Sequence, residues 1–317
     1  MSDSGRYDEL LGARIASCQE AETAFQDKSH PCNKIVNWQK TELPVLRTCP
    51  TLHGSAAHRP EAWAGNLADA RILFLGSNPS FNNEEIFPDY TEEWSGEKLR
   101  EFAARRFEGT SFRPFGGSDG PTDSEKDRVY LKDGKLNKSK VTHWNELRGN
   151  AAAILNIPKS EVSPNKDYAM TELVHCKSKA EVGVENALHF CSQKYLEDIF
   201  RTSNAKLIFV LGSTPGRYFY NLYPGMPENW GYWKTNGVQH GIWPTSNEML
   251  SLMRNEDKWS AEDQLHHAYE MELGGKLRLV IWYPRPGRPQ WPRKMTGENG
   301  PIDHVVMKYW RDKLNTL

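Results

Sequence analysis

Two short runs constrain the fold most: Ile72-Leu73-Phe74-Leu75 and Leu207-Ile208-Phe209-Val210-Leu211, each halted by Gly-Ser. An unbroken apolar run this short, bounded by turn residues, reads as a strand buried on both faces. Residues 170–176 (Met-Thr-Glu-Leu-Val-His-Cys) and 278–290 (beginning Arg-Leu-Val-Ile-Trp-Tyr-Pro) add two more strands. Helical patterns lie between and after them, over 144–157, 185–203 and 304–314. In the second of these, Leu188, Cys191, Tyr195 and Ile199 share a face, with Leu196 and Phe200 beside it. Strands alternating with helices predict an α/β fold: three layers, α/β/α, around a mostly parallel four-stranded sheet.

In such sheets ligands sit beyond the carboxyl ends of the strands. Asn78, Ser213 and Tyr283 stand at three of those ends and are expected on one edge. Residues 1–66 read as an N-terminal segment packed on the core. The first 30 are helical with Leu10, Leu11, Ile15 and Ala16 on one side, and 31–66 are irregular. Residues 67–317 form the α/β domain, with a charged, Gly-rich loop region inserted at 82–143. No apolar leader opens the chain and no run approaches a membrane span, so a cytoplasmic protein without membrane contact is expected, as a monomer.

Formal net charge is -1, which by itself gives no nucleic-acid signal. Its distribution does: Lys276–Leu317 holds nine Lys/Arg against three Asp/Glu. That is either a solvated lysine-rich tail or a patch that tracks phosphates. The five cysteines, Cys18, Cys32, Cys49, Cys176 and Cys191, are an odd, scattered set. They do not read as a disulfide framework, which leaves metal binding or plain burial.

Five segments together resemble the uracil-DNA glycosylase superfamily. Leu-Gly-Ser-Asn-Pro-Ser-Phe-Asn (75–82) is similar to its first motif, and Phe-Arg-Pro-Phe-Gly-Gly (112–117) to a base-stacking loop of its iron–sulfur branches. Thr-Glu-Leu-Val-His-Cys-Lys-Ser (171–178) resembles the strand that reads the base, and residues 206–219 the strand–Gly–helix element after it. Val-Ile-Trp-Tyr-Pro-Arg-Pro-Gly-Arg-Pro-Gln (280–290) resembles the second motif. The resemblance covers roughly 70–290 and implies base flipping out of DNA and hydrolysis of the N-glycosidic bond. Asn78 would hold the attacking water, unless it merely caps a following helix. Phe115, or Phe81, would stack on the base. Ser213, Arg285, Arg288 and Arg293 would contact DNA phosphates.

Three departures matter. Uracil readers usually carry Asn where this chain has Glu172. An ionised carboxylate only accepts hydrogen bonds, which suits the amino group of cytosine and not the O4 of uracil. The second motif usually begins with His; here Tyr283 stands, as a candidate base contact. The stretch from Phe81 to Phe115 is also long, enough to roof a larger pocket. These point to the branch that removes glucosylated hydroxymethylcytosine from phage DNA as antiviral defence. Uracil repair and a non-catalytic DNA-binding relative are the alternatives.

The resemblance also implies a structural [4Fe–4S] cluster on Cys32, Cys49, Cys176 and Cys191. Cys176 and Cys191 have the expected separation. The upstream pair is stretched, and Cys18 could replace one of its members. Zinc at the same positions, or free buried thiols, are the other readings.

Overall fold

The structure is a computed structural model describing residues 3–42, 58–82, 84–85, 87–88, 95–108, 126–131, 134–164, 166–228, 230–235, 238–242, 267–283 and 304–317. Among these, the main sheet has six strands: β1 (Trp63–Ala64), β2 (Ile72–Gly76), β3 (Tyr168–Glu172), β4 (Leu207–Leu211), β7 (Ala268–Leu273) and β8 (Lys276–Tyr283). β5 (Tyr232–Thr235) and β6 (Val238–Ile242) form a separate antiparallel pair. The order across the main sheet is β1-β3-β2-β4-β8-β7. The inner four strands are parallel, as expected, but an antiparallel strand flanks each edge. The sheet is therefore mixed and six-stranded, not four-stranded. The added edge at β7 comes from a hairpin. Gly274 and Gly275 both take positive φ, +59° and +76°, in a two-residue turn whose twist matches the strands.

Alternate residues of each inner strand enter two different hydrophobic clusters, because successive strand side chains point to opposite faces. Leu73, Leu75, Ile208, Val210, Val280 and Trp282 face one cluster. It is completed by α1 (Asp3–Ala16), α2 (Gln19–Gln26), α3 (Asn33–Glu42), α6 (Val184–Thr202) and α7 (Ser213–Leu222). Ile72, Phe74, Leu207, Phe209, Leu279 and Ile281 face the other, against α5 (Thr142–Leu155) and α8 (His304–Thr316). Phe74 and Phe209 are fully buried, and each such side chain contributes about 1.5–3 kcal/mol.

The N-terminal helices are part of this core: Leu11, Ile15, Ile35 and Val36 share a cluster with the sheet. Leu10 departs from the expected apolar side and is 63% exposed. Two helices were not legible as such. α3 occupies part of the segment read as irregular, and α4 (Gly96–Ala104) lies within the stretch read as a loop. α4 is capped by Ser95, whose Oγ accepts from the Lys98 N–H at 3.1 Å, and buries Leu99, Phe102 and Ala103. Among the described residues no helix is long and apolar enough to cross a membrane.

Candidate active site and cysteine pocket

β2 is flanked by β3 on one side and β4 on the other, so the chain reverses direction across the sheet at β2. The carboxyl ends of the strands at such a reversal are where open α/β sheets bind ligands. Glu172 pairs with Gly76, and Leu211 with Tyr283. The β2–β4 register, continued one residue past Leu75↔Val210, sets Gly76 beside Leu211. Glu172, Gly76, Leu211 and Tyr283 thus form one row across four strand ends, on one face.

Gly76 is the gap in that row. Its φ is not in the left-handed region; what its lack of a side chain provides is space. A Cβ there would lie 2.1 Å from Glu172 Oε2, 2.9 Å from Cδ and 3.0 Å from Oε1. The Glu172 carboxylate lies across the glycine and is only 5% exposed. The other end of the row is packed differently. Tyr283 is 3% exposed, with its ring in the cluster that holds Leu211, Ile281 and Val306. Burial pushes its phenol well above the usual range. This geometry gives Tyr283 a core position beneath the edge.

Beyond β2 the chain runs Ser77-Asn78-Pro79-Ser80, and beyond β3 a buried loop runs beside it. The N–H groups of Leu173 and Val174 donate to Gly76 O and Ser77 O at 3.0 and 2.9 Å, and that of Ser178 to Pro79 O at 3.2 Å. Asn78 donates its Nδ2 to Pro79 O at 2.9 Å and to Ser178 Oγ at 3.0 Å, with Ser178 O at 3.5 Å. Two of these acceptors are carbonyls, so the amide can only face them with its NH2. Asn78 Oδ1 therefore points the other way and accepts no hydrogen bond among the described residues. Asn78 caps no helix either: the next described helix is α4, with its own Ser95 cap.

The turn is anchored by groups the sequence did not single out. Lys177, 1% exposed, donates to Ser80 O at 3.3 Å and pairs with Glu61 at 2.8 Å and Glu85 at 3.7 Å. Arg106 pairs with the same two carboxylates. Its guanidinium lies 4.6 Å from the Trp144 ring centre, and Lys177 Nζ lies 4.0 Å from that of Phe87. Burial alone would raise the Glu61 carboxyl, but Arg106 and Lys177 outweigh it and hold the pKa at about 2. Ser77 Oγ donates to Glu181, which with Ala180 takes positive φ, 56° and 53°. Left-handed backbone at two consecutive non-glycine residues is uncommon and marks a tightly determined loop.

Phe81 sits in an aromatic group, edge-on to Trp38 at 5.1 Å and tilted against His58 at 4.9 Å. Ser213 opens α7 after β4 and is half-buried. The preceding Gly212, at φ 94°, uses the freedom only glycine has. Its N–H donates to Tyr283 O at 2.8 Å, and its carbonyl accepts from Trp282 Nε1 at 2.9 Å. Phe115, Arg285, Arg288, Arg293 and Cys49 lie outside the described residues.

Cys18, Cys32, Cys176 and Cys191 line one pocket, together with His175 and Tyr195. Three of the four expected ligands are thus brought together, and Cys18 is the fourth thiol among the described residues. It accepts a hydrogen bond from Tyr195 Oη at 3.1 Å. Burial, then the neighbouring Cys18, pushes the Cys32 thiol up to about 12. Burial and the other three cysteines push Cys176 far above its usual range. Burial raises Cys191 as well, offset in part by the His175 backbone N–H. Such thiols are inert as nucleophiles. A bound cation reverses the effect, because a coordinating thiol is deprotonated outright. Burial also drives His175 down to about 4, leaving its ring neutral. Among the described residues, no three His, Cys, Asp or Glu gather tightly enough to hold a single metal ion.

No protein-family model matches the chain, and no curated protein matches it.

Proposed function

We propose that this chain is a DNA glycosylase that removes a modified cytosine and leaves an abasic site. One observation carries the reading: the Glu172 carboxyl group fills the space left by Gly76, at the end of the strand paired with the one that leads to Asn78, whose amide oxygen accepts no hydrogen bond among the described residues. The parallel inner strands, with helices on both faces, agree with the three-layer fold of the superfamily that the motifs resemble. The resemblance points to glucosylated hydroxymethylcytosine of phage DNA, and so to antiviral defence.

In this mechanism a flipped base presents its amino group to Glu172, which accepts the hydrogen bond. The glycosidic C–N bond breaks, and the base leaves with the electron pair. Asn78 Oδ1 accepts a hydrogen bond from a water molecule, whose oxygen forms the new bond to the sugar C1′. The water's proton passes to solvent or to the departing base. Asn78 acts by holding the water; as a neutral amide it is a weak base, suited to a cationic sugar that needs only a weak nucleophile.

Cys18, Cys32, Cys176 and Cys191 would hold a [4Fe–4S] cluster. The donor set is all sulfur, and it rings a pocket instead of converging on one point, which favours a cluster over a single zinc ion. The cluster would be structural, tying α2, α3 and α6 to the loop after β3.

The test is alkali cleavage of DNA after incubation with the protein. Strand breaks in DNA carrying glucosylated hydroxymethylcytosine, and none in unmodified DNA, are expected. Breaks only at uracil would make the protein a repair enzyme. No breaks in any substrate would leave a DNA-binding relative without turnover.

A further inference from the structure

We infer that Ser178 is a positioning residue for the reaction, fixing the Asn78 amide so that its oxygen, and not its nitrogen, faces the water; this rests on the glycosylase reading above. All three polar groups of Ser178 engage the turn that carries Asn78. Its N–H donates to Pro79 O at 3.2 Å, its Oγ accepts from Asn78 Nδ2 at 3.0 Å, and its carbonyl lies 3.5 Å from the same nitrogen. Pro79 O in turn receives both the Ser178 N–H and the Asn78 Nδ2. An amide turned over would set its oxygen against two carbonyl oxygens, so the two faces are not equivalent.

Ser178 is itself held from several sides. It is 2% exposed and bridges to Ser80 in parallel fashion. The preceding Lys177 is fixed by Glu61, Glu85 and the Ser80 carbonyl, and its own carbonyl accepts from Gln39 of α3 at 2.6 Å. Two residues on, Ala180 and Glu181 hold left-handed backbone. A hydroxyl on so fixed a backbone is a preset acceptor, as positioning of a catalytic group requires. Among the described residues Ser178 Oγ is the one side-chain atom that Asn78 contacts by hydrogen bond, so its removal changes the amide's surroundings while leaving the backbone contacts.

The experiment compares wild type, Ser178→Ala, Asn78→Ala and the double variant in single-turnover base release from glucosylated-hydroxymethylcytosine DNA. Ser178→Ala is expected to lower the chemical rate about tenfold, the order of one hydrogen bond, with DNA affinity unchanged and the thermal midpoint lowered by no more than about 3 °C. In the Asn78→Ala background the same substitution is expected to cost nothing more, because its effect passes through Asn78. An unchanged rate in Ser178→Ala, or an equal loss in both backgrounds, overturns the assignment. A second readout needs no activity. In 15N-labelled protein, the Asn78 side-chain NH2 signal, identified by its loss in Asn78→Ala, is expected to exchange slowly with solvent and to lose that protection in Ser178→Ala. Retained protection overturns the inference. Protection that is lost while wild type releases no base upholds the positioning and sinks the glycosylase reading instead.

Discussion

Replacing Gly76 by alanine isolates the contact on which the proposed base selection depends. Gly76 has an ordinary φ, so the substitution adds no backbone strain; all of its effect comes from the new methyl group. That methyl would sit 2.1 Å from Glu172 Oε2, where ordinary contact begins near 3.4 Å. The carboxylate must therefore retreat by about 1 Å or more, and a misplacement of that size at a reacting site costs on the order of 100-fold in rate. Because Glu172 is buried, the crowding should also cost about 1–3 kcal/mol of stability. Urea denaturation gives the second quantity and base release from modified DNA the first. The mechanism predicts coupling: in a Glu172→Ala background the offending atoms are gone, and Gly76→Ala should cost almost nothing further. An equal stability loss in both backgrounds, or a Gly76→Ala protein that keeps wild-type rate and stability, would refute the reasoning.

Other perturbations test other parts of the structure. The Glu61 carboxyl falls from 4.5 unfolded to about 2 folded, so it contributes on the order of 3 kcal/mol, fully present above pH 4.5 and lost as pH falls toward 2. Glu61→Gln should accordingly be less stable at pH 7 by denaturant melting, and the gap to wild type should close between pH 5 and 2. Arg278 is fully buried and donates to the carbonyls of Leu273, Ala205, Phe200 and Ser203, closing the end of α6. Arg278→Met removes these donors, while the Ser203 carbonyl keeps a second one, Lys276 Nζ at 2.9 Å, and should cost roughly 3–5 kcal/mol in urea. Protein purified without oxygen should carry about four iron atoms per chain with matching acid-labile sulfide. Cys18→Ala should lose both, and Cys49→Ala should keep them; the reverse pattern would restore Cys49 as the ligand.

The inner strands were legible because Ile72–Leu75 and Leu207–Leu211 are buried on both faces, and such strands are unbroken apolar runs. β7 was not, since Ala268–Leu273 carries Glu270 and Glu272 on an edge strand whose one buried residue is Leu273. Its one local signal was the Gly274-Gly275 turn. α4 was hidden among charged residues because only three of its side chains are buried. In the site, Asn78 stood out because it follows a strand end, and Glu172 because uracil readers usually carry Asn at that place. Ser178, Lys177, Glu61, Glu85 and Arg106 did not, because they meet only through tertiary contacts between distant segments, 45 residues apart for Arg106 and Glu61 and 100 for Asn78 and Ser178. Buried charges that neutralise one another leave no periodicity to read. Gly76 was visible as a turn residue, but its use as space for Glu172 emerges only from the parallel register of β2 and β3. Cys18 ranked behind Cys49 because sequence spacing cannot show that it lines one pocket with Cys32, Cys176 and Cys191.

The most direct test is mass-spectrometric identification of the free base liberated from a mixture of uracil-containing, unmodified and glucosylated-hydroxymethylcytosine DNA. The account predicts that wild type sets free the modified cytosine alone and that Asn78→Ala releases it roughly a hundredfold or more slowly. Release of uracil in preference to the modified base, or undiminished release by Asn78→Ala, would contradict it.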